Sequence, residues 1–404
     1  MTVRTDATEP ASATLSVLPA LDGLRGVAAA LVVLTHAAFL TGFGTSAGLP
    51  GHLLARGDFG VGIFFALSGF LLHRGLLREA GTASGVDTLR YAARRFARIF
   101  PAYWLALAAV VIAADPDLRA WLLSAVGLQI YAPDTAIAAF GQSWSVATEA
   151  SFYVALPIVI ALLQRLRARS PGAPIVALVA VLVVTSLLPL VTAPAIFGQD
   201  LLVERWLPWR APHFLIGMIC AEALLVPDHL VARTLRRWAR DPVGCLLIAG
   251  AAYLASTTPV AGSLSLEPAF GITLFMRTGL ATLVAAGLVV PLALGTTSGW
   301  SRLLSFPVVR WLGLVSYGLF LWHLPVFTAV YAVTGADFFR GGIVPLLSFG
   351  VPISLLLAFL SHQFVEVPSS RLAARLLSRR KGRGQGDHDE QHHPDRALED
   401  RSTE

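Results

Sequence analysis

Arg25 and His36 are the two residues of the first long apolar stretch whose side chains could take part in chemistry. Both lie in the segment LDGLRGVAAALVVLTHAAFLTGF, from Leu21 to Phe43, with ten residues between them. In a helix this spacing puts them roughly three turns apart on one face. A guanidinium near a membrane surface and an imidazole about 16 Å deeper are expected to form two subsites of one pocket.

Only Arg25 of these two residues has an obvious structural explanation. Arg25 could be an interfacial anchor whose charged end extends to the lipid head groups. His36, near the middle of a spanning helix, has to face protein or water, and such a residue marks a candidate site. The functional interpretation therefore depends on support from the rest of the chain.

Glu149 in QSWSVATEASFY is the predicted partner of His36. It lies about eight residues into its helix, roughly 12 Å below the edge of an apolar core about 30 Å thick, close to the depth of His36. A carboxylate beside an imidazole fixes its tautomer and raises its basicity, which gives a general base for a hydroxyl. A purely structural ion pair between helices is the alternative for Glu149.

Further side chains of the apolar segments complete the predicted pocket. Trp144, Tyr317 and His323 are assigned to the substrate pocket, although a packed and hydrogen-bonded histidine would also explain His323. Arg277 and His213 are additional buried candidates. No metal ligand is needed for this chemistry.

An arginine cluster precedes the third apolar segment, in the order Arg90, Arg94, Arg95 and Arg98. If the helix begins early, the last three lie on or near one face, which suits bidentate phosphate binding. Charge that only sets membrane topology is the alternative. This arrangement fits a donor whose phosphorylated part binds the arginines at the membrane surface while its reactive end reaches the imidazole. Coenzyme A thioesters have that shape.

The composition requires a membrane protein. Of 404 residues, 55% are hydrophobic and only 14% charged, and the mean hydropathy is +0.67. We expect an all-α membrane protein with about ten transmembrane helices in the cell membrane. The predicted spans begin near Leu24, Phe59, Ile99, Gly141, Ala173, Leu207, Val243, Phe270, Val308 and Ile343. The short stretch Leu118 to Pro133 is assigned to an interfacial or re-entrant helix.

The distribution of arginine predicts that both termini are cytoplasmic. Basic residues accumulate after the second, fourth, sixth, eighth and tenth spans, and the intervening loops carry few. Residues 1–17 and 378–404 are predicted to be disordered cytoplasmic tails around a membrane domain at 18–377. The tail histidines His388, His392 and His393 are expected to be solvated.

Several classes of function have no support in the sequence. It contains no Gly-rich phosphate loop and no paired-cysteine metal pattern, and we see no cleaved signal peptide. Cys220 and Cys245 are interpreted as helix-packing residues. The net charge of +6 fits contact with anionic lipid and does not require nucleic acid.

Five motifs in this order and spacing resemble acyltransferase family 3, the integral membrane O-acyltransferases. They are LDGLRGVAAALVVLTH, GVGIFFALSGFLL, RRFARIFPAYW, SWSVATEASFY and GLVSYGLFLWH, and the likeness covers Leu18 to about Leu372. The resemblance implies ten spans, an acyl-CoA donor, usually acetyl-CoA, and a hydroxyl acceptor on a sugar, glycan, lipid-linked saccharide or macrolide. The family's functional residues fall on Arg25, His36, Arg95, Arg98 and Glu149.

The chain departs from the family pattern in two places. Thr148 precedes Glu149 where an aliphatic residue is more usual, and Val367 stands where the family often has arginine. No ligand contact is therefore predicted around Glu366. The appended extracellular hydrolase-like domain of longer members is also not expected.

Three hypotheses follow for the function. In the leading one, the chain is a bacterial membrane O-acyltransferase in which His36, supported by Glu149, deprotonates the acceptor or accepts the acyl group transiently. Arg25, Arg94, Arg95 and Arg98 would hold the CoA phosphates. The alternative is a proton-coupled transporter or flippase using the same buried histidine and glutamate. A non-catalytic receptor derived from the family is the third.

Overall fold

The computed structural model describes residues 11–81, 86–192, 202–264 and 269–390, and the regular structure within them is helical. We label the ten principal helices α1 (Ala11–Leu40), α2 (Phe59–Ala80), α3 (Thr88–Ala114), α4 (Trp144–Arg169), α5 (Ala173–Val191), α6 (Leu207–Leu225), α7 (Pro242–Ser256), α8 (Gly271–Leu294), α9 (Pro307–Thr334) and α10 (Ile343–Ser378). The predicted all-α class is confirmed.

Short helical segments connect the principal helices. They are Phe43–Ser46, Gly48–Ala55, Arg56–Asp58, Leu118–Ala125, Gln129–Tyr131, Ala138–Ser143, Val203–Arg205, Leu230–Ala239, Pro259–Ala261 and Gly299–Leu304. The segment that we expected to be interfacial therefore contains a helix of eight residues, Leu118–Ala125.

The number of full-length spans is smaller than predicted. Each of the ten predicted segments is helical, but in the described part of the chain eight are long and apolar enough to cross a membrane alone. A ninth arises if α6 is counted together with Leu230–Ala239, which follows at a bend of 106°. Helix α7 has only 15 residues, which is about 22 Å of helix against an apolar core of about 30 Å.

The helices at both ends extend into the predicted tails. Helix α1 begins at Ala11, because the stretch before Pro19 is rich in alanine and leucine and has no glycine or proline. At the other end, the last helical segment, Val367–Glu390, passes the predicted boundary at 378. Leucine, alanine and arginine favour helix up to Lys381, but nothing in the glycine-containing residues that follow explains why the helix continues. Residues 1–10 and 391–404, including His392 and His393, lie outside the described residues.

Helix α1 lies at the centre of the site-bearing part of the bundle, packed between α2 and α9. Glycines allow this close approach: a Cβ on Gly26 would lie 2.9 Å from the Gly313 nitrogen and 3.0 Å from the Val309 oxygen. Side chains of α1, α2, α6 and α8 form one apolar cluster, and those of α1, α9 and α10 form another. The polar residues of α1 are thereby held between several rigid helices.

A buried arginine fixes the chain immediately before α2. Arg56 is 1% exposed, and its guanidinium donates to the carbonyl oxygens of Ser256 at 2.6 Å and Gly262 at 2.8 Å. These bonds tie the Arg56–Asp58 turn to the end of α7. Arg56 is therefore part of the buried structure, and it holds the turn that places Asp58 at the start of α2.

The arginine-rich start of α3 is helical, as the phosphate hypothesis required. The Asp87 side chain caps the helix by accepting from the Arg90 amide at 2.9 Å, which satisfies one of the free amides of the first turn. Arg95 and Arg98 are three residues apart and so lie on one side of the helix.

Candidate functional site

Two cavities lie along α1, one at each end of the Arg25 to His36 interval. The His36 cavity has a volume of about 630 Å³, and the Arg25 cavity about 550 Å³. The polar residues lining the His36 cavity include Thr35, His36, Thr45, Ser46, Asp58, Trp144, Glu204, Arg205, Arg210, His213, Arg277 and Thr278. Those lining the Arg25 cavity include Asp22, Arg25, Ser68, Arg95, Arg98, Ser145, Glu149, Tyr153, Tyr317, His362, Glu366 and Arg371.

Two side chains of α2, Val61 and Phe65, line both cavities and so separate them. Phe65 is 2% exposed and stacks on Phe214 of α6 with the ring centres 4.4 Å apart. Its ring also meets Trp144 edge-on at 6.4 Å. The predicted single pocket is thus two chambers that share a thin apolar wall.

His36 is paired with His323. The Nδ1–H of His36 donates to the Val32 carbonyl oxygen at 2.8 Å, and the Nε2 of His323 lies 3.2 Å from the same nitrogen. The Nδ1–H of His323 in turn donates to the Leu319 carbonyl oxygen at 3.1 Å. Because a carbonyl can only accept, both rings carry their proton on Nδ1.

This tautomer leaves the Nε2 of His36 with a free lone pair. That nitrogen makes no hydrogen bond to any of the described residues, and the side chain lines the His36 cavity. An unprotonated imidazole nitrogen that faces a cavity is the arrangement of a general base.

Glu149 is not the partner of His36. Its Oε1 accepts a hydrogen bond from the Ser68 hydroxyl, and it lines the Arg25 cavity, on the other side of Val61 and Phe65. The prediction was wrong because it used only the similar depth of Glu149 and His36 in the membrane. Depth does not determine where a side chain lies laterally in a helix bundle. The position predicted for the carboxylate is occupied by His323, which the sequence had assigned to the substrate pocket.

The predicted phosphate ligands come together, with one exception. Arg25, Arg95 and Arg98 all line the Arg25 cavity. Arg94 does not lie among the residues lining this cavity, because one residue along a helix turns the side chain by about 100°. Its guanidinium forms an ion pair with Glu79 instead.

The aromatic residues assigned to the substrate pocket divide between the chambers. Tyr317 lines the Arg25 cavity and donates its hydroxyl to the Ile99 carbonyl at 3.0 Å. Trp144 lines the His36 cavity, where the guanidinium groups of Arg210 and Arg205 lie 4.9 and 5.8 Å from its ring centre.

The two weaker candidates also belong to the His36 cavity. His213 is 1% exposed and lies against α2, where a Cβ on Gly62 would be 2.6 Å from its Cδ2. Arg277 forms an ion pair with Asp58 at 2.6 Å. Both side chains therefore form part of the wall of the His36 cavity.

Several residues of the two chambers were not predicted. Asp58 and Arg210 stand at the starts of α2 and α6, so a search for charged residues at helix starts would have found them. Ser68 lies in the predicted motif GVGIFFALSGFLL but was not singled out. Glu366, for which no ligand contact was expected, lines the Arg25 cavity with His362, whose Nδ1 is 3.4 Å from Glu366 Oε2.

The two chambers together can do acyl-transfer chemistry. Guanidinium groups in the Arg25 cavity suit phosphates, and the free imidazole nitrogen in the His36 cavity suits a hydroxyl that must lose its proton. The two chambers adjoin each other at Val61 and Phe65, which line both. Cys220 and Cys245, by contrast, are free and buried and take no part in either chamber.

Comparison with protein families points to the same chemistry. Residues 18–362 match the family model described as an acyltransferase domain. No solved structure matches the chain.

Known proteins similar to this chain include three bacterial O-acetyltransferases. The chain is 25% identical over 395 residues to O-acetyltransferase OatA of Staphylococcus aureus, covering 90% of this chain and 60% of that protein. It is 27% identical over 395 residues to the putative peptidoglycan O-acetyltransferase YrhL of Bacillus subtilis, covering 90% and 56%. The peptidoglycan O-acetyltransferase OatA of Listeria monocytogenes is 26% identical over 385 residues, covering 87% and 55%.

The chain thus spans little more than half the length of these relatives. The similarity extends over most of the described helices. The helices of the structure and these homologues together identify a multi-pass membrane protein.

Proposed function

Because the chain belongs to acyltransferase family 3, we propose that it transfers an acetyl group from acetyl-CoA to a hydroxyl of a saccharide acceptor. That it is a membrane acyltransferase with an acyl donor and an acceptor follows from the family. The proposal adds the identity of the donor, the class of acceptor and the chamber used by each. The observation that carries it is the free Nε2 of His36 in one chamber beside an arginine-lined chamber.

The Arg25 cavity binds the CoA part of the donor. Arg25, Arg95 and Arg98 supply guanidinium groups that pair with phosphate oxygens in bidentate fashion. Glu149 lines the same cavity, and its negative charge reduces the repulsion between the guanidinium groups when no donor is bound. We therefore place Glu149 on the donor side of the reaction.

The acyl end of the donor reaches the second chamber past Val61 and Phe65. Arg25 and His36 are eleven residues apart in α1, which is about 16 Å along the helix axis. The long, flexible arm between the phosphates and the thioester of CoA suits this separation. The thin apolar wall favours a small apolar acyl group over a charged one.

The transfer takes place at His36. The acceptor hydroxyl gives its proton to the Nε2 of His36 as its oxygen attacks the thioester carbonyl carbon, and the carbon–sulfur bond then breaks. The imidazolium returns the proton to the departing thiolate, so the products are an ester and free CoA. In the alternative two-step route, Nε2 attacks the thioester carbonyl carbon, the carbon–sulfur bond breaks and CoA leaves as the thiolate. The acceptor oxygen then attacks the acyl-histidine, the Nε2–carbon bond breaks, and the hydroxyl proton passes to the CoA thiolate.

Release of free CoA by the purified full chain in proteoliposomes tests this function. With acetyl-CoA and a mixture of soluble cell-wall saccharides, we expect acceptor-dependent release of CoA and saccharides heavier by one acetyl group in mass spectrometry. Movement of an unmodified solute without CoA release would instead support the transporter. Binding without either reaction would support the receptor.

A further inference from the structure

The His36 cavity contains more positive charge than the transfer reaction requires. Five charged side chains line it, Asp58, Glu204, Arg205, Arg210 and Arg277. None of them contacts the Nε2 of His36, and an acetyl group carries no charge that would need them. A charged ligand group is the simplest reason for building such side chains into a buried chamber.

Two of the three arginines already have carboxylate partners. Arg277 pairs with Asp58 at 2.6 Å, and Arg205 lies 3.9 Å from Glu204. Arg210 forms no ion pair within 4.0 Å and no side-chain hydrogen bond with the residues that the structure describes. Its terminal amino groups are therefore available to a ligand in the cavity.

Arg210 is held in place by its surroundings. Its guanidinium lies 4.9 Å from the centre of the Trp144 ring, and that of Arg205 lies 5.8 Å from the same ring. The two guanidinium groups repel each other next to this ring, and the carboxylates of Glu204 and Asp58 act on Arg210 in the opposite sense. An anion bound between them would remove that repulsion and would accept hydrogen bonds from a planar, fixed donor.

We propose that the acceptor carries an acidic group, a carboxylate or a phosphate, next to the hydroxyl that is acylated, and that Arg210 binds this group with help from Arg205. The inference rests on the proposed function, because it assigns the His36 cavity to the acceptor. The Trp144 ring beside the guanidinium gives a flat apolar surface for a sugar ring. An acidic saccharide matches both features of this wall.

Binding of matched saccharides to the purified full chain tests the proposal without any turnover. The probes are glucuronate with its uncharged amide, and glucose 6-phosphate with glucose, measured by isothermal titration calorimetry. We expect at least one acidic form to bind about tenfold or more tightly than its neutral counterpart, as for a charge-assisted hydrogen bond. Whichever acid shows this preference identifies the group as carboxylate or phosphate.

Variants of Arg210 assign the effect to this side chain. R210Q should abolish the preference for the acidic form. R210K should keep part of it, because lysine retains the positive charge but lacks the planar pair of N–H donors of a guanidinium group. R119Q, which changes an exposed arginine outside the two chambers, should bind as the wild type does. A thermal melt of each variant checks that it is folded.

Three results would overturn the inference. In the first, the wild type binds the acidic and neutral forms equally, or binds neither measurably. In the second, R210Q keeps the preference for the acidic form. In the third, R210Q weakens the binding of acetyl-CoA instead, which would place Arg210 in the donor site. Free-CoA release by the wild type is measured separately. If the wild type releases free CoA but shows no preference for the acidic form, only this inference is overturned and the proposed function is not.

Discussion

His323 gives the clearest view of how the reacting nitrogen is prepared. It contacts His36 at 3.2 Å, and its own ring is oriented by the Leu319 carbonyl. When His36 gains a proton on Nε2, its Nδ1–H becomes a stronger donor, and the lone pair of His323 lies ready to accept from it. In the proposed reaction His323 would therefore be a positioning residue, because it would act on the reactants through His36.

Replacing His323 with leucine should slow the reaction without changing donor binding. We expect kcat to fall about tenfold, the equivalent of one lost hydrogen bond, with KM for acetyl-CoA unchanged. H323Q should recover part of the rate, because its amide oxygen can accept from His36. A higher KM with unchanged kcat, in steady-state assays of CoA release, would exclude this role.

Arg98 and Arg94 form a matched pair on one helix. Arg98 lines the Arg25 cavity, whereas Arg94 pairs with Glu79. We expect R98Q to raise KM for acetyl-CoA about tenfold, because a bidentate phosphate contact is lost, and R94Q to leave KM unchanged. Equal effects of the two substitutions would show that the arginines act only through general surface charge.

At the scale of single residues, the sequence was a good guide to which side chains line the two cavities. It was a poorer guide to which of these side chains contact one another. Arg25, Arg95 and Arg98 line one cavity, whereas Arg94, which was predicted to lie with them, does not. His36 lines a cavity, as expected for a histidine in a spanning helix. The partner of His36 was assigned wrongly because Glu149 and His323 lie at similar depths. Only the packing of α9 against α1 decides between them.

Among the helices, α2 carries the wall between the chambers, and we expect it to determine which acyl groups can be transferred. Val61 faces both cavities, so its size should set what can pass. V61F is expected to block transfer while acetyl-CoA still binds. V61A is expected to improve the relative rate with propionyl-CoA, since a β-branched side chain is replaced by a methyl group.

Relative kcat/KM values for acetyl-CoA and propionyl-CoA provide the measurement for these Val61 variants. V154F, which enlarges a side chain that is 75% exposed on the outside of α4, is the control for added bulk. Full activity of V61F with acetyl-CoA would mean that the acyl group does not cross this wall.

The contact between α1 and α9 should be intolerant of even one added methyl group. G26A would place a Cβ 2.9 Å from the backbone nitrogen of Gly313, and overpacking of this kind costs typically about 1–3 kcal/mol. G75A is the control, because a Cβ there meets nothing within 4 Å. We expect the thermal midpoint in detergent to fall for G26A and to stay level or rise for G75A; equal midpoints would contradict the tight packing.

For the molecule as a whole, the two chambers lie toward opposite ends of the Arg25 to His36 interval, and we predict that they open on opposite sides of the membrane. The arginine distribution predicts that the Arg25 end of α1 faces the cytoplasm. Leu89, which is 56% exposed at the start of α3, and Phe338, which is 44% exposed after α9, mark the two ends. Cys220 and Cys245 must be replaced first so that each reporter is the only thiol.

Cysteine labelling tests this orientation. In spheroplasts, a membrane-impermeant maleimide should label a protein carrying F338C and should label one carrying L89C only after the membrane is opened. The reverse pattern would place the donor chamber outside the cell, where acetyl-CoA is not supplied.

The fold could be predicted from the sequence largely because a bilayer imposes helices of a minimum length on apolar segments. All ten predicted segments are helical, and α3 begins at Thr88, well before the predicted start near Ile99, as the phosphate hypothesis required. The shortness of α7 and the bend after α6 were missed because hydropathy is averaged over windows longer than either feature. The division of the site into two chambers was also missed, since a separating side chain such as Phe65 looks like any other apolar residue of a spanning helix.

The assignment of donor binding to one chamber and transfer to the other is tested most directly by measuring both steps in H36Q. We predict that this variant binds acetyl-CoA with the wild-type affinity and transfers the acyl group about 10² to 10⁴ times more slowly, the range for loss of a general base. H52Q, which changes a histidine outside both chambers, should be active. Wild-type turnover by H36Q, or loss of its acetyl-CoA binding, would contradict the account.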